Sequence, residues 1–152
     1  MSMFDEGNIL YFNPFRFEDG TSKPKFFIVL KNDNGVSLLA TLPTSQDHVP
    51  ADLDVHAGCY EYPERCINVY VFLAGDVIAE GPVAGSDFFF RKNTFLYGAT
   101  LNVFPIAPFL EQQMNRETNI ELKGRLKADI FNDLKHCLKN SALVKNKFKR
   151  ML

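Results

Sequence analysis

The sequence has 152 residues, 46% of them apolar, and its 17 Lys and Arg against 18 Asp and Glu give a net charge of −1. A chain of this length and apolar content can bury one hydrophobic core, so we expect a single domain over residues 1–152. No apolar run approaches the roughly 18 residues of a membrane span, and acidic residues stand where a signal peptide carries bases, so a cytoplasmic protein without a membrane partner is expected.

Three strands are predicted near the start of the chain. The apolar stretches at residues 8–13, 26–31 and 37–42 are typical of strands, and a content of 15 Phe and 5 Tyr favours a β-rich domain. Asn34 and Gly35 lie between the second and third stretches, and both residue types tolerate the positive φ of tight hairpin turns. We therefore predict that the second and third strands pair antiparallel.

The middle of the chain is expected to contain loops and short strands. Residues 46–64 lack a clear period, which indicates a long surface loop with one short strand near residues 59–62. Residues 66–73 alternate as a strand does, with Val69 and Val71 on one side and Tyr70 and Phe72 on the other. Further short apolar pieces predict strands at residues 88–90, 95–97 and 100–104.

The end of the chain changes to a helical period. Leu126, Ile130, Leu134 and Leu138 recur every fourth residue, which is the apolar stripe of an amphipathic helix. Ser141 can then cap a short final helix. We expect the first of these helices to lie against the β domain.

The charges are unevenly distributed along the chain. Residues 1–122 carry 8 Lys and Arg against 16 Asp and Glu, a charge of −8, whereas residues 123–152 carry 9 against 2, a charge of +7. A basic segment of this kind can bind nucleic acid through phosphate contacts. The same lysines can also simply solvate the outer face of a terminal helix, and both interpretations stay open.

The three cysteines are an odd number without close spacing. Cys59, Cys66 and Cys137 indicate neither a disulfide framework nor a zinc site. We expect reduced thiols in the core, no metal and no cofactor.

Several segments, in their order, resemble the MazF/PemK-type toxin family. A glycine-led first strand is followed by an aromatic-proline-aromatic hinge, a basic-proline pair that enters an apolar strand, hydroxyls at the end of the next strand, and a terminal helix. The matching segments are residues 7–12, 13–15, 18–21, 23–24, 27–30, 43–45 and 124–138.

The resemblance implies an SH3-like (MazF/PemK-type) small β-barrel over residues 1–122. A basic C-terminal helical segment over residues 123–152, with an amphipathic α-helix, would pack on this barrel. Such proteins are usually homodimers that cleave single-stranded RNA without a metal, and an antitoxin protein covers the RNA groove. The implied function is that of a toxin-like endoribonuclease.

The resemblance also assigns catalytic roles. The family's arginine before the proline and its threonine at the strand end correspond to Lys23 and Thr44, with Ser45 beside the threonine. Lys23 departs from the family pattern because an ammonium group lacks the planar fork with which guanidinium binds two phosphate oxygens. Arg16 is a candidate replacement for that guanidinium, and His48 is a candidate proton shuttle because a histidine titrates near neutral pH.

Each of these residues also has a purely structural interpretation. Lys23, Arg16 and His48 can be exposed loop residues, and Thr44 with Ser45 after a proline is ordinary turn chemistry.

Aromatic residues beside cations suggest RNA contacts. Phe15 and Phe17 flank Arg16, Lys25 lies nearby on the next strand, and a run of three phenylalanines, residues 88–90, leads into two basic residues. Aromatic rings can stack on unpaired bases while cations hold the backbone. Aromatics on strands are more often in the core, and Phe12, Phe27 and Phe89 are expected to be buried.

A second function of a different class stays open. The substitution at Lys23 and the acidic body of the chain both favour a catalytically inactive barrel that binds RNA or protein.

Overall fold

The computed structural model describes residues 2–45 and 55–152. The described part is mainly β, as expected, and every strand pair in it is antiparallel. Its strands are β1 (Asn8–Arg16), β2 (Ser22–Asp33), β3 (Ser37–Thr41), β4 (Thr44–Ser45), β5 (Gly58–Tyr62), β6 (Ile67–Phe72), β7 (Ala79–Glu80), β8 (Asp87–Phe88), β9 (Thr94–Tyr97), β10 (Asn102–Pro105) and β11 (Asn119–Leu126). Its α-helices are α1 (Ile106–Met114), α2 (Ala128–Lys139) and α3 (Asn146–Lys149).

The strands form two sheets. The larger sheet has the order β10-β3-β2-β1-β11-β7-β8, and the smaller one has the order β4-β9-β6-β5. Neither sheet closes on itself in the part of the chain that the structure describes, because each of them ends in unpaired edge strands.

The predicted hairpin between the second and third strands is confirmed. β2 pairs antiparallel with β3, and the Val36 amide donates a hydrogen bond of 3.0 Å to the Asp33 carbonyl across the turn. Asn34 and Gly35 both have positive φ there, at 53° and 75°. These two residue types tolerate that region of φ best, which explains why the local sequence suffices to predict the turn.

Two large cores lie on opposite faces of the larger sheet. The main core fills the space between the two sheets and α2, and it contains Ile9, Ile28, Phe72 and Leu134. The α1 core lies on the other face, where Phe12 and Phe27 of the sheet pack against Phe109 of α1. The alternation of side chains along β1 and β2 sends successive residues to the two cores.

The smaller sheet also has two buried faces. Val69 and Val71 pack in a separate small cluster with Phe95, whereas Tyr70 and Phe72 enter the main core. The predicted division of the β6 side chains between two sides is therefore confirmed.

The predicted terminal helix is confirmed over α2, but it begins later than the sequence pattern indicated. Leu126 is the last residue of β11, which pairs with β1 on one side and β7 on the other. β11 and α1 were both missed, and β11 crosses the boundary at residue 122 between the expected barrel and helical segments. A Cβ on Gly124 would lie 2.7 Å from the Glu80 carbonyl oxygen, so only glycine lets β7 approach β11 this closely.

A disulfide joins Cys59 of β5 to Cys137 of α2, with a Cα–Cα distance of 5.7 Å. The expectation of three reduced core thiols is therefore wrong. Cys137 is buried, Cys59 is exposed, and the unpaired Cys66 is also exposed. The sequence could not indicate this pair because only the packing of α2 over β5 brings together two cysteines that are 78 positions apart.

Among the described residues, no helix has both the length and the apolar character needed to cross a membrane.

Candidate functional site

A groove of about 520 Å³ opens where β1, β2 and β11 meet the segment that follows β8. We call it the aromatic groove because five of its ten lining residues are Phe or Tyr. The lining residues are Tyr11, Phe26, Ser45, Asp87, Phe88, Phe89, Phe90, Arg91, Lys92 and Lys123.

The wall of the groove is a cluster of four packed rings. Tyr11 and Phe26 lie directly opposite each other on β1 and β2, with ring centroids 5.0 Å apart. Phe90 packs edge-on against Phe26 at 4.9 Å, and Phe88 packs against Phe26 at 5.9 Å. The side chains of Phe88 and Phe90 are thus held by the main core, which fixes this wall of the groove.

Phe89 points to solvent between these two anchored rings. Its side chain is 46% exposed, whereas Phe90 is buried. The expectation that Phe89 is buried is therefore wrong, although Phe12 and Phe27 are buried as expected. In an extended segment successive side chains alternate, so Phe88 and Phe90 pack on the main core while the ring of Phe89 between them is left exposed.

Three cations border the rings. Arg91 and Lys92 follow the phenylalanines and are exposed. Lys123 of β11 places its Nζ 5.6 Å from the centroid of the Tyr11 ring and 2.7 Å from Oε2 of Glu121. Among the described lining residues, Asp87 is the single acid against Arg91, Lys92 and Lys123, so positive charge predominates in this set.

Of the predicted catalytic residues that the structure describes, Ser45 lines the aromatic groove and Lys23 and Thr44 do not. Its hydroxyl is 3.1 Å from the Thr94 hydroxyl, which itself donates to the Lys92 carbonyl at 2.9 Å. Ser45 is therefore the donor in its bond with Thr94, and its oxygen can accept a further hydrogen bond. Thr44 is half-buried opposite Phe95 of β9, and it is not part of the groove lining.

Lys23 and Lys25 lie on the other face of the larger sheet. Lys23 is directly opposite Phe15 and Lys25 is directly opposite Phe12, and directly opposed residues share a face. Both phenylalanines belong to the α1 core, whereas the aromatic groove lies on the Tyr11 face. The register therefore does not bring Lys23 and Ser45 to one surface.

The surroundings of these two lysines differ. Lys23 is exposed, and its Nζ lies 5.9 Å from the centroid of the Phe17 ring. Lys25 is half-buried, and burial, together with the nearby charge of Lys23, lowers its pKa. Burial disfavours the charged ammonium form, which gives the direction of this shift.

The remaining predicted residues surround the turn between β1 and β2. Arg16 is exposed, and its Nε lies 4.0 Å from Oε2 of Glu117. Phe15 is buried in the α1 core, and half-buried Phe17 packs against it with ring centroids 5.1 Å apart. Phe15 therefore has no exposed face on which a base could stack. His48 lies outside the described residues.

Sequence reasoning identified the phenylalanine run and the two cations that follow it, but it missed Tyr11 and Lys123. Lys123 belongs to β11, which was not predicted. The alternation of Ile120, Leu122 and Leu126 was the available signal for that strand.

No family model matches the sequence, and neither the curated proteins nor the solved structures include one that is detectably similar to it.

Proposed function

We propose that the protein binds single-stranded RNA in the aromatic groove. The observation that carries this proposal is the exposed ring of Phe89 between Arg91, Lys92 and Lys123, on a wall of rings fixed by the core. An exposed aromatic ring stacks on a base, and cations beside it hold the phosphates.

A single strand fits this groove better than a duplex. Stacking on a side chain needs a base whose face is not covered by its neighbours, and a duplex covers both faces. The volume of about 520 Å³ lies within the range of about 300–1,000 Å³ that is usual for sites of small ligands, so the groove can hold only a short piece of a strand.

The choice of RNA over DNA is supported by the resemblance to the MazF/PemK-type family. A DNA oligomer of the same sequence is therefore the natural competitor in any binding test.

Fluorescence anisotropy with a labelled RNA of roughly 10 nucleotides tests the proposal. Loss of a stacking ring costs about 1–3 kcal/mol, so Phe89→Ala should weaken binding roughly 5- to 150-fold. Leu110→Ala is the matched control, because Leu110 is an equally exposed apolar side chain, 50% accessible, on α1. Equal affinity of Phe89→Ala and wild type, or no binding by wild type, would contradict the proposal.

The salt dependence gives a second test of the same groove. Each phosphate contact in a single strand contributes about 0.7 to the slope of log affinity against log salt. The double variant Arg91→Gln/Lys92→Gln should therefore lower that slope by about 1.4. An unchanged slope would mean that these two cations do not contact phosphates.

The second candidate function is metal-independent cleavage of the bound RNA, as in an SH3-like toxin barrel. The observation that favours it is the Ser45 hydroxyl in the groove lining, at the strand end where the resemblance expects catalytic hydroxyls. Attack of a ribose 2′-hydroxyl on the adjacent phosphorus needs a proton acceptor, a proton donor for the leaving oxygen, and stabilisation of charge on the phosphorus. In this proposal Ser45 and the groove cations stabilise the charge, while solvent water accepts the 2′-hydroxyl proton and donates a proton to the leaving 5′-oxygen.

Because Lys23 lies on the face opposite to the groove, the variant Lys23→Ala distinguishes two assignments of the cleavage site. The purified protein is incubated with mixed-sequence RNA in EDTA, and the products are examined for 2′,3′-cyclic phosphate ends. Cleavage in the groove should be lost in Ser45→Ala and kept in Lys23→Ala, whereas loss in Lys23→Ala and Thr44→Ala would support the assignment from the family resemblance. Bound but intact RNA would leave the binding module as the function.

The resemblance also implies a homodimer and an antitoxin protein that covers the groove. Both are proposals here. Light scattering measures the mass of the protein in solution and so tests the homodimer. For any protein that is found to bind, competition with labelled RNA tests whether it covers the groove.

A further inference from the structure

The end of the chain presents a second basic surface. We call it the basic face, and it consists of Lys135, Lys139, Lys145, Lys147, Lys149 and Arg150. Residues 134–152 contain no Asp or Glu. No acidic side chain within this segment therefore offsets its positive charge.

The packing of the segment leaves these cations outside. Leu134, Leu138, Val144 and Phe148 are buried in the main core, and they come from α2, from α3 and from the turn between them. None of the six cations is buried. The apolar residues thus hold the segment against the sheets, and the cations remain on its outer side.

None of the six cations forms an ion pair with a described residue. The ammonium of Lys135 lies 4.5 Å from the centroid of the Phe131 ring, and that of Lys147 lies 5.0 Å from the centroid of the Phe148 ring. Asp133, the nearest acid along α2, accepts a hydrogen bond of 2.9 Å from the Tyr70 hydroxyl. An anionic partner would therefore meet cations that form no ion pair with a carboxylate in the described part of the chain.

We propose that the basic face binds the phosphate backbone of RNA that extends beyond the aromatic groove. The proposal deepens the RNA-binding function, since it makes a longer strand the preferred ligand. Phe26 and Phe88 of the groove pack against the same main core as α2 and α3. The two surfaces thus belong to one packed body.

An anionic membrane is a less suitable partner for this surface. A helix that lies on a membrane inserts an exposed apolar face between the lipid headgroups. Here Leu134, Cys137 and Leu138 of α2 are buried in the main core, and the partly buried Ile130 and Phe131 pack against the same core, so α2 has no fully exposed apolar face. Phosphate contacts along an RNA need no apolar face.

The expected change in the salt dependence of RNA affinity follows from counterion release. Four phosphate contacts in a single strand give a slope of about 2.8 in log affinity against log salt, so neutralising four cations should lower the slope by about that much. Between about 50 and 200 mM salt, the affinity of the neutralised variant should then fall about 50-fold less than that of wild type.

The test compares RNAs of roughly 6 and roughly 20 nucleotides on wild type and on the quadruple variant Lys145→Gln/Lys147→Gln/Lys149→Gln/Arg150→Gln. The variant should bind the short RNA as wild type does, bind the long RNA more weakly, and show the smaller salt slope for the long RNA. The control variant Lys31→Gln/Lys127→Gln removes two exposed cations that belong to neither surface, and its affinity for both RNAs should stay near that of wild type.

Distinct outcomes overturn the two proposals. If wild type does not bind the short RNA, the groove function fails, while the salt slope of the long RNA still decides the role of the basic face. An unchanged affinity and slope of the quadruple variant on long RNA overturns the inference. Binding of wild type, but not of the quadruple variant, to phosphatidylserine vesicles, with RNA binding unaffected, would assign the basic face to lipid instead.

Discussion

Removing the disulfide between β5 and α2 should lower the free energy of unfolding by several kcal/mol. The bond between Cys59 and Cys137 closes a loop with a sequence separation of 78 residues. In the chain-entropy model a cross-link over such a loop removes about 15 cal/mol/K from the unfolded chain, or about 4.5 kcal/mol at room temperature. Single domains are stable by only about 5–15 kcal/mol, so this is a large share of the total.

Cys59→Ser is the suitable perturbation because Cys59 is exposed and a serine there buries no hydroxyl. The remaining thiol of Cys137 stays buried, where the Asn68 amide nitrogen lies 3.6 Å from its sulfur. Urea unfolding is compared for oxidised wild type, wild type in dithiothreitol and Cys59→Ser. The last two should coincide, about 3–4.5 kcal/mol below the first. Cys66→Ser removes the exposed unpaired thiol and should unfold like wild type.

Two results would refute this reasoning. Titration of denatured, unreduced wild type with a thiol reagent should find one reactive thiol, and three would show that the bond does not form. Unfolding of Cys59→Ser within about 1 kcal/mol of oxidised wild type would show that closing this loop does not constrain the unfolded chain.

Two further predictions concern packing and pH. Gly98→Ala should lower the free energy of unfolding by about 1–3 kcal/mol in urea titration, because the new Cβ would clash with the buried Asn68 oxygen and lie 2.8 Å from Cγ2 of Val144. Tyr70→Phe removes the hydrogen bond to Asp133 and should cost about 1–2 kcal/mol near neutral pH. Burial, with the Asp133 hydrogen bond, raises the pKa of Tyr70 above its ordinary value of 10.0, so the folded protein keeps a phenol proton that the unfolded chain loses. The contribution of Tyr70 to the free energy of unfolding is thus complete below pH 10.0 and declines above it. The Tyr70→Phe variant should lack this part of the decline, which urea titrations at alkaline pH measure.

The sequence predicted best those features that depend on neighbouring residues. The hairpin at Asn34 and Gly35, the alternating strand β6 and the apolar stripe of α2 all follow from local turn chemistry or periodicity. The mainly β fold follows from the same patterns.

Features that depend on long-range packing were missed or misplaced. Leu126 fits both the alternation of β11 and the helical stripe of α2, and only the pairing of β11 between β1 and β7 decides between them. α1 is short and contains Pro108, which a helix accepts in its first turn, so its apolar residues did not indicate a helix. The disulfide is a further case of this kind.

The candidate site was predicted only in part for the same reason. The phenylalanine run and its cations are local, and so is Ser45 at the end of its strand. Tyr11 and Lys123 join them only because β1 and β11 are neighbours in the sheet. The register also assigns Lys23 to the opposite face, which no local pattern could indicate.

Photo-crosslinking of single-stranded RNA that contains 4-thiouridine, followed by mass spectrometry of the peptides, tests RNA binding in the aromatic groove most directly. The groove proposal expects crosslinks on residues 88–92 and on Tyr11 or Phe26, with Phe89→Ala lowering their yield. Crosslinks confined to the opposite face of the sheet, around Phe17 and Lys23, or no crosslinks at all, would contradict it.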